Sequence, residues 1–563
     1  MAEIAAFVIG TSGLISVAEV CLAIARAIDG NRAFKEDSAS LFAMYNFEQV
    51  RLALWIAHVV GITDAPLDIN TLQIEERSLP PVLTRESPIN LHAPLHSALT
   101  EVARLLKKID NLLDKYGANE ASVSRRIRFQ TRIFKEGGKD EIEKLLGQLK
   151  YWNDGLDGVV ENRMRHDLLS NMHVRLLSAA QTDVELGVIQ GAAQLTHPSL
   201  AHEAAFRRQL LGTGSRSKGE LKVELKDISP SIPPQMKKGA LRAMGTIAGP
   251  GKRPIRVLQE WKHGQANWGR IERKIASERA DGLASDLHLE HKPSKLRCLD
   301  LVAYAITDGP DGRLDFGFFY HPPPFADGMT LPLTLHTALA TLSERRQPTL
   351  PQRFGMAATL AESLLAFHMA NWVHKAVWSP NILFFADADT GAHNFGQPFV
   401  AGFEFARPDT VADRSIDSSA GGVPGFDAYC HPELVASLTG DGSRGRKRYQ
   451  RRYDIYGLGV VLLELGCWMT AASILKSMQG VEGSSHEHLY RTASTSLPSR
   501  MGTKYKQAVR ACLDWEEDED AVEVGVGPET DELRAQRQRQ RQRQIEMFAN
   551  TVVAALRDCH CSL

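Results

Sequence analysis

The chain has 563 residues, too many for one compact core, and this length predicts two to four domains. Hydrophobic residues make up 43% and charged residues 24%, the balance of an ordinary globular chain with ample apolar material to bury. A formal net charge of -1 excludes nucleic-acid binding driven by overall charge excess. Seven dispersed cysteines argue against a disulfide framework and for a reducing, cytoplasmic setting.

The first predicted element is the apolar stretch Ile4–Ile28. Its first charge is Glu3, so it lacks the basic start of a signal peptide, and Gly10, Gly13, Glu19 and Arg26 interrupt it as a permanent membrane span. It reads as the buried first helix of a bundle, the alternative being a helix that leaves the bundle and enters a membrane. Leu41–Gly61 and Leu91–Tyr116 place apolar residues at three- and four-residue spacing, and Ile142–Val160 and Arg163–Gln190 add two more long helices. Residues 1–210 therefore predict an all-α helical bundle.

His197–Gly251 is richer in Pro, Gly, Ser and Lys, and residues 211–250 read as a linker. Beyond it, Arg256–Lys262, Cys298–Ile306 and Leu314–Tyr320 predict strands, with a helix over Ile271–Leu289 between the first two. That mixture predicts an α+β unit over residues 251–563, with a small lobe at about 251–325 and a mainly helical large lobe at about 326–563. A short hairpin is expected within Ile382–Ala401. Near the end, Glu516–Asp520 is acidic and Arg534–Gln544 alternates Arg with Gln; without an apolar face it reads as a solvated helix or a disordered low-complexity segment. No aromatic residues interleave these arginines, so no nucleic-acid partner is assigned. Cys559-His560-Cys561 stands alone without a second ligand cluster, so no metal is assigned there either.

Four motifs in order carry the chemistry. Val373–Phe384 reads VHKAVWSPNILF and resembles the protein-kinase catalytic loop, His-Arg-Asp followed five residues later by asparagine, here as His374, Lys375, Ala376 and Asn381. Val400–Arg407 reads VAGFEFAR and resembles the following metal-binding segment, with Gly402-Phe403-Glu404 where kinases carry Asp-Phe-Gly. His431-Pro432-Glu433 is similar to the Ala-Pro-Glu that closes the activation segment, and Asp454–Leu465 to the buried helix whose aspartate braces the catalytic loop.

The resemblance implies a bilobal protein-kinase-like fold in which Glu433 and Asp454 are structural. In kinases the loop aspartate accepts the substrate hydroxyl proton, and the asparagine and the Asp of Asp-Phe-Gly hold magnesium. Ala376 and Gly402 have no carboxylate. Glu404 supplies one two positions late on the backbone. Lys262, at the end of the strand carrying Glu260-Trp261-Lys262, is the candidate phosphate-pairing lysine, with Glu272 or Glu278 as its helix partner. Gly245, Gly249 and Gly251 lack the spacing of a phosphate-covering loop. No catalytic residue is assigned. ATP with magnesium is the cofactor that the resemblance admits, with Lys262 and Asn381 left to hold it.

Phe47–Trp55 (FEQVRLALW), followed by Val59-Val60-Gly61, resembles the second helix of the HeLo domain of fungal incompatibility and prion-linked proteins. That family implies membrane targeting and toxicity through the first helix. The expectation is a signalling pseudokinase with a helical effector domain, acting in incompatibility or regulated cell death. It would be cytoplasmic, recruited to membranes through residues 4–28 and switched by a protein partner or self-association. Mixed lineage kinase domain-like proteins of animals have an analogous layout. The alternatives are an active atypical kinase using Lys262, Asn381 and Glu404, and a non-catalytic scaffold.

Overall fold

The computed structural model describes residues 138–159, 162–194, 197–212, 220–230, 242–248, 253–265, 268–289, 292–309, 312–403, 407–408, 425–439, 449–515 and 531–561. It also describes Met44, Glu48, Arg51, Leu52, Trp55, Ala98, Glu101, Val102, Arg104, Leu105, Lys108 and Ile109, all helical. Residues 4–28, Glu404, Gly249, Gly251 and the acidic run at 516–520 lie outside this set. The chain divides into two compact units, Met1–Arg208 and Gln209–Leu563.

In the first unit all described secondary structure is helical: α1 (Gly138–Val159), α2 (Asn162–Ala179), α3 (Asp183–Ala193) and α4 (Pro198–Gly212), the last running across the unit boundary. The single helix expected over Arg163–Gln190 is two helices. Thr182 caps α3, accepting from Glu185 N, and Glu185 returns a carboxylate to Thr182 N (3.0 Å), a capping box that starts a new helix. Helix α4 starts at Pro198, which suits a first helical turn, where its missing N–H costs nothing, and it runs two residues into the segment 211–250 read as linker.

The helical residues Glu48, Arg51, Leu52 and Trp55, at three- and four-residue spacing, share a face and are buried. Arg51 donates to Asp157 through Nε (2.8 Å) and to Asp154 through a terminal nitrogen (2.6 Å). Asn153 donates to Glu48 (2.8 Å), and the Trp55 indole donates to the Leu156 carbonyl (3.0 Å). Polar contacts thus join these residues to α1.

The second unit opens with β1 (Ile228–Ser229), β2 (Arg242–Ile247) and β3 (Ile255–His263). Helix α5 (Arg270–Leu287) follows, then β4 (Leu301–Asp308) and β5 (Leu314–Tyr320). These strands form one antiparallel sheet in the order β1-β2-β3-β5-β4. The first two strands fall inside the segment 211–250 read as linker, so the sheet starts earlier than expected. The Pro- and Gly-rich runs flank β2 rather than fill it, and Ile228 and Ile247 supply buried side chains to a core with Val257, Trp261, Ala303 and Phe319. Gly245 lies within β2 under the Gln259 side chain, where a Cβ would sit 2.1 Å from Gln259 Nε2; it makes room for packing within the sheet. Helix α5 covers the other side of β4, with Tyr304 Oη donating to Asp281 (2.5 Å).

Short strands β6 (Leu333–Thr334), β8 (Ile382–Phe384) and β9 (Phe399–Val400) form a second sheet, β6-β8-β9, which contains the expected hairpin; β7 (Trp372–Val373) pairs with β10 (Arg407–Pro408). The rest is helical: α6 (Leu335–Thr341), α7 (Leu350–Met369), α8 (Pro432–Thr439), α9 (Arg451–Cys467), α10 (Ala471–Ser477) and α11 (Ser485–Leu513). Then come α12 (Asp531–Phe548), a π turn at Ala549–Val553 and α13 (Ala554–Cys561). Helix α9 is buried along nearly its whole length against α7 and α11, which explains why its sequence from Ile455 to Leu463 is without a charged residue. The Arg-Gln run is helical within α12, and it is not wholly solvated: Gln542 is buried and Arg541 donates to Asn371 (3.1 Å). No single helix among the described residues is long and apolar enough to cross a membrane.

Candidate functional site

The site is built on the turn between β7 and β8. Asn371, just before β7, and Lys375, two residues after it, both have φ of +66°, a left-handed conformation that non-glycine residues rarely adopt. What holds this strained turn is Asp454, fully buried in the first turn of α9. Its carboxylate accepts from the backbone N–H of His374 (2.7 Å) and Lys375 (2.8 Å) and from Tyr449 Oη (2.8 Å). Burial works against the charge, but His368 at 3.5 Å, His374 and the backbone donor outweigh it and hold the carboxyl below its ordinary range. Asp454 thus braces the loop through its backbone N–H groups.

His374 is buried, and its Nδ1 accepts from Ala376 N (3.3 Å), which assigns the proton to Nε2. Burial lowers its pKa against the pull of Asp454 and Glu260. It packs edge-on against Phe403 with centroids 4.9 Å apart, and Phe403 in turn meets Phe367. His374 and Phe403 therefore serve packing.

Asn381 closes the loop. Its Nδ2 donates to the Ala376 carbonyl (3.0 Å), and its backbone carbonyl accepts from Ala401 N (2.9 Å). Its Oδ1 is also taken, by Arg242 of β2 (2.6 Å). The same guanidinium donates to the Pro380 carbonyl (2.7 Å) and, through Nε, to Glu260 of β3 (2.7 Å). The other Glu260 oxygen accepts from Gly402 N (3.2 Å). Gly402 has φ of +82°, and a Cβ there would lie 1.9 Å from Asn381 Nδ2. No larger residue fits while Asn381 stays where it is.

The sequence-predicted residues are thus partly brought together. His374, Ala376, Asn381, Gly402 and Phe403 form one cluster; Glu433 is apart, held by Arg452 and by Tyr453 Oη (3.2 Å). Lys262 is half-buried on β3, opposite Phe316 in the register. It is Glu260, two residues earlier on the same strand face, that reaches Arg242 and Gly402. Glu272 and Glu278 are both exposed on α5, and Glu278 lies 4.0 Å from Lys274. Arg242 and Glu260 were not singled out from sequence. A glutamate inside a run that predicts a strand is the signal that could have found Glu260; Arg242 sits in the segment read as linker.

Farther into the helical part, Ser379 Oγ bonds Tyr429 Oη (2.8 Å), which donates to Glu464 (2.6 Å); Ala471 N donates to the same oxygen (2.7 Å). Burial raises the Glu464 carboxyl to about 7 against these donors. Among the described residues, no group of three or more His, Cys, Asp or Glu is arranged to hold a metal ion. Cys559 is a free, buried thiol.

Residues 326–541, from the loop after the first sheet into α12, match the family model of the Domain of unknown function (DUF7580). No curated protein matches the chain. The site described here spans this matched segment and the two strands before it that carry Arg242 and Glu260.

Proposed function

We propose that this chain is a signalling protein in which a protein-kinase-like unit without phosphotransfer chemistry acts as the switch for a helical effector. The second unit reads as kinase-like because its sheet order, β1-β2-β3-β5-β4 with one helix between β3 and β4, accompanies four ordered motifs. One observation carries the loss of chemistry. Asp454 braces the loop through two backbone N–H groups, yet at the two positions where phosphoryl transfer requires carboxylates the chain has Ala376 and Gly402. A scaffold residue kept beside two reactive residues lost is the pattern of a fold retained for binding or switching.

The purified chain is expected to transfer no labelled phosphate from ATP with magnesium to itself or to a general protein substrate. Transfer that disappears in Lys262→Ala would overturn this reading in favour of an atypical kinase. The effector half rests on the sequence resemblance of Phe47–Trp55 to the HeLo helix. In this proposal a protein partner or self-association favours a state in which residues 4–28 meet the membrane from the cytoplasmic side, which requires differential affinity for the two states. Leu14→Lys, placing a charge on that apolar stretch, is expected to abolish dye release from liposomes. Release by the variant equal to that of the unaltered chain would refute membrane action through this segment.

A further inference from the structure

We propose that the Arg242 guanidinium is a built-in cation that latches the first sheet onto the 376–402 loops, in the place where a kinase-like cleft would take a metal–nucleotide complex. The comparison with a nucleotide site rests on the kinase-like reading above; the latch itself rests only on geometry. One guanidinium holds three oxygens from two separate parts of the chain: Glu260 Oε1 of β3, and Asn381 Oδ1 with the neighbouring Pro380 carbonyl (2.7, 2.6 and 2.7 Å). A carboxylate, a carboxamide oxygen and a backbone carbonyl are the hard oxygen donors that suit a divalent ion such as magnesium or manganese. The planar fork of Arg meets them with hydrogen bonds instead.

The arrangement is closed on every side that the described contacts reach. The second Glu260 oxygen is engaged by Gly402 N, Asn381 Nδ2 by Ala376 O, and the space beside Gly402 by Asn381 itself. Glu260 is almost fully buried, and the Arg242 side chain is 14% exposed, so water competes weakly for these bonds. The cleft is consequently held shut by the chain's own charge and needs no ligand to close. Because the three oxygens come from β3 and from the loop before β8, losing the guanidinium uncouples sheet from loop. It also leaves an oxygen cluster with one negative charge and a cation missing.

The test uses hydrogen exchange read by mass spectrometry on the full chain, with magnesium, manganese or ATP–magnesium as the added probe. In Arg242→Ala, amides of the 376–402 loops are expected to exchange faster by about tenfold or more, the factor set by losing charge-assisted hydrogen bonds. Helix α9 should keep its protection. Added magnesium or manganese should restore part of the loop protection in Arg242→Ala and leave the unaltered chain unchanged; potassium at equal ionic strength should do neither. Should Arg242→Ala melt the whole unit, Glu260→Gln keeps the shape and one acceptor. It is expected to loosen the same loops less and to gain no response to divalent ions.

Unchanged loop exchange in Arg242→Ala would sink the latch, as would protection of the unaltered chain by ATP–magnesium. If Arg242→Ala does melt the unit, unchanged loop exchange in Glu260→Gln would sink it equally. Phosphate transfer by the unaltered chain, in contrast, would sink the proposed function and leave the uncoupling result standing, so the two failures are separable.

Discussion

Arg51→Ala is expected to cost the first unit about 3–5 kcal/mol, the range for breaking a buried ion pair by removing one partner. Arg51 sits among Glu48, Asp154 and Asp157, of which Glu48 and Asp157 are buried with it. Without the guanidinium, two carboxylates remain in a low-dielectric site with Asn153 as the donor left to Glu48. Burial already raises the Glu48 carboxyl against the pull of Arg51, so the variant should take up a proton there at higher pH than the unaltered chain does. Exchange protection of the 138–159 helix reports the loss locally, which matters because a two-unit chain does not unfold in one step. Arg51→Lys keeps the charge but not the fork that reaches Asp154 and Asp157 together, and should fall between the two. Unaltered protection of α1 in Arg51→Ala would show that this network does not hold the helices together.

The same residues show how far the sequence could be read. Glu48, Arg51 and Trp55 belong to the FEQVRLALW run that carried the HeLo resemblance, and they are the ones that reach α1. Their spacing was visible; their partners, about a hundred residues away, were not. Strand β5 begins and ends with the LDFGFFY run because every residue in it is buried, and such a run has few other uses. Strand β2 was hidden for the opposite reason. RAMGTI has one fully buried side chain and a glycine at its centre, and the flanking KKG and AGPGK have turn chemistry. Missing β2 meant missing Arg242, whose partners lie 18 and 139 residues along the chain. Asp454 came into view because it opens the run that resembles a kinase helix. Glu260 and Lys262 point to the same face of β3, and alternation alone cannot choose between them.

Glu464 was in view within the Asp454–Leu465 run, but only as part of an apolar helix. A carboxylate with no exposure there should make stability depend on pH in a direction opposite to that of a paired carboxylate. Its folded-state value is about 7 against an ordinary 4.5. Below pH 4.5 the group is protonated whether the chain is folded or not, and the full contribution is present. Between 4.5 and about 7 the unfolded chain ionises first and binds fewer protons, so stability falls as pH rises. The loss levels off above 7, at about 3 kcal/mol from a displacement of roughly two and a half pH units.

Glu464→Gln should remove this slope. Its carbonyl oxygen can still accept from Tyr429 Oη and Ala471 N, and its amide takes the place of Oε2, which has no partner among the described residues. Urea unfolding of both proteins from pH 4.5 to 8, read as the difference between them, cancels every other titrating group. That difference should shift toward the glutamine variant by about 3 kcal/mol across the interval and be flat outside it. A difference that does not change with pH would mean that Glu464 stays ionised in the folded chain. Tyr429 and the N-terminus of α10 would then bear a buried negative charge, and the path from Ser379 to α10 would be held by that charge instead of by a neutral acid.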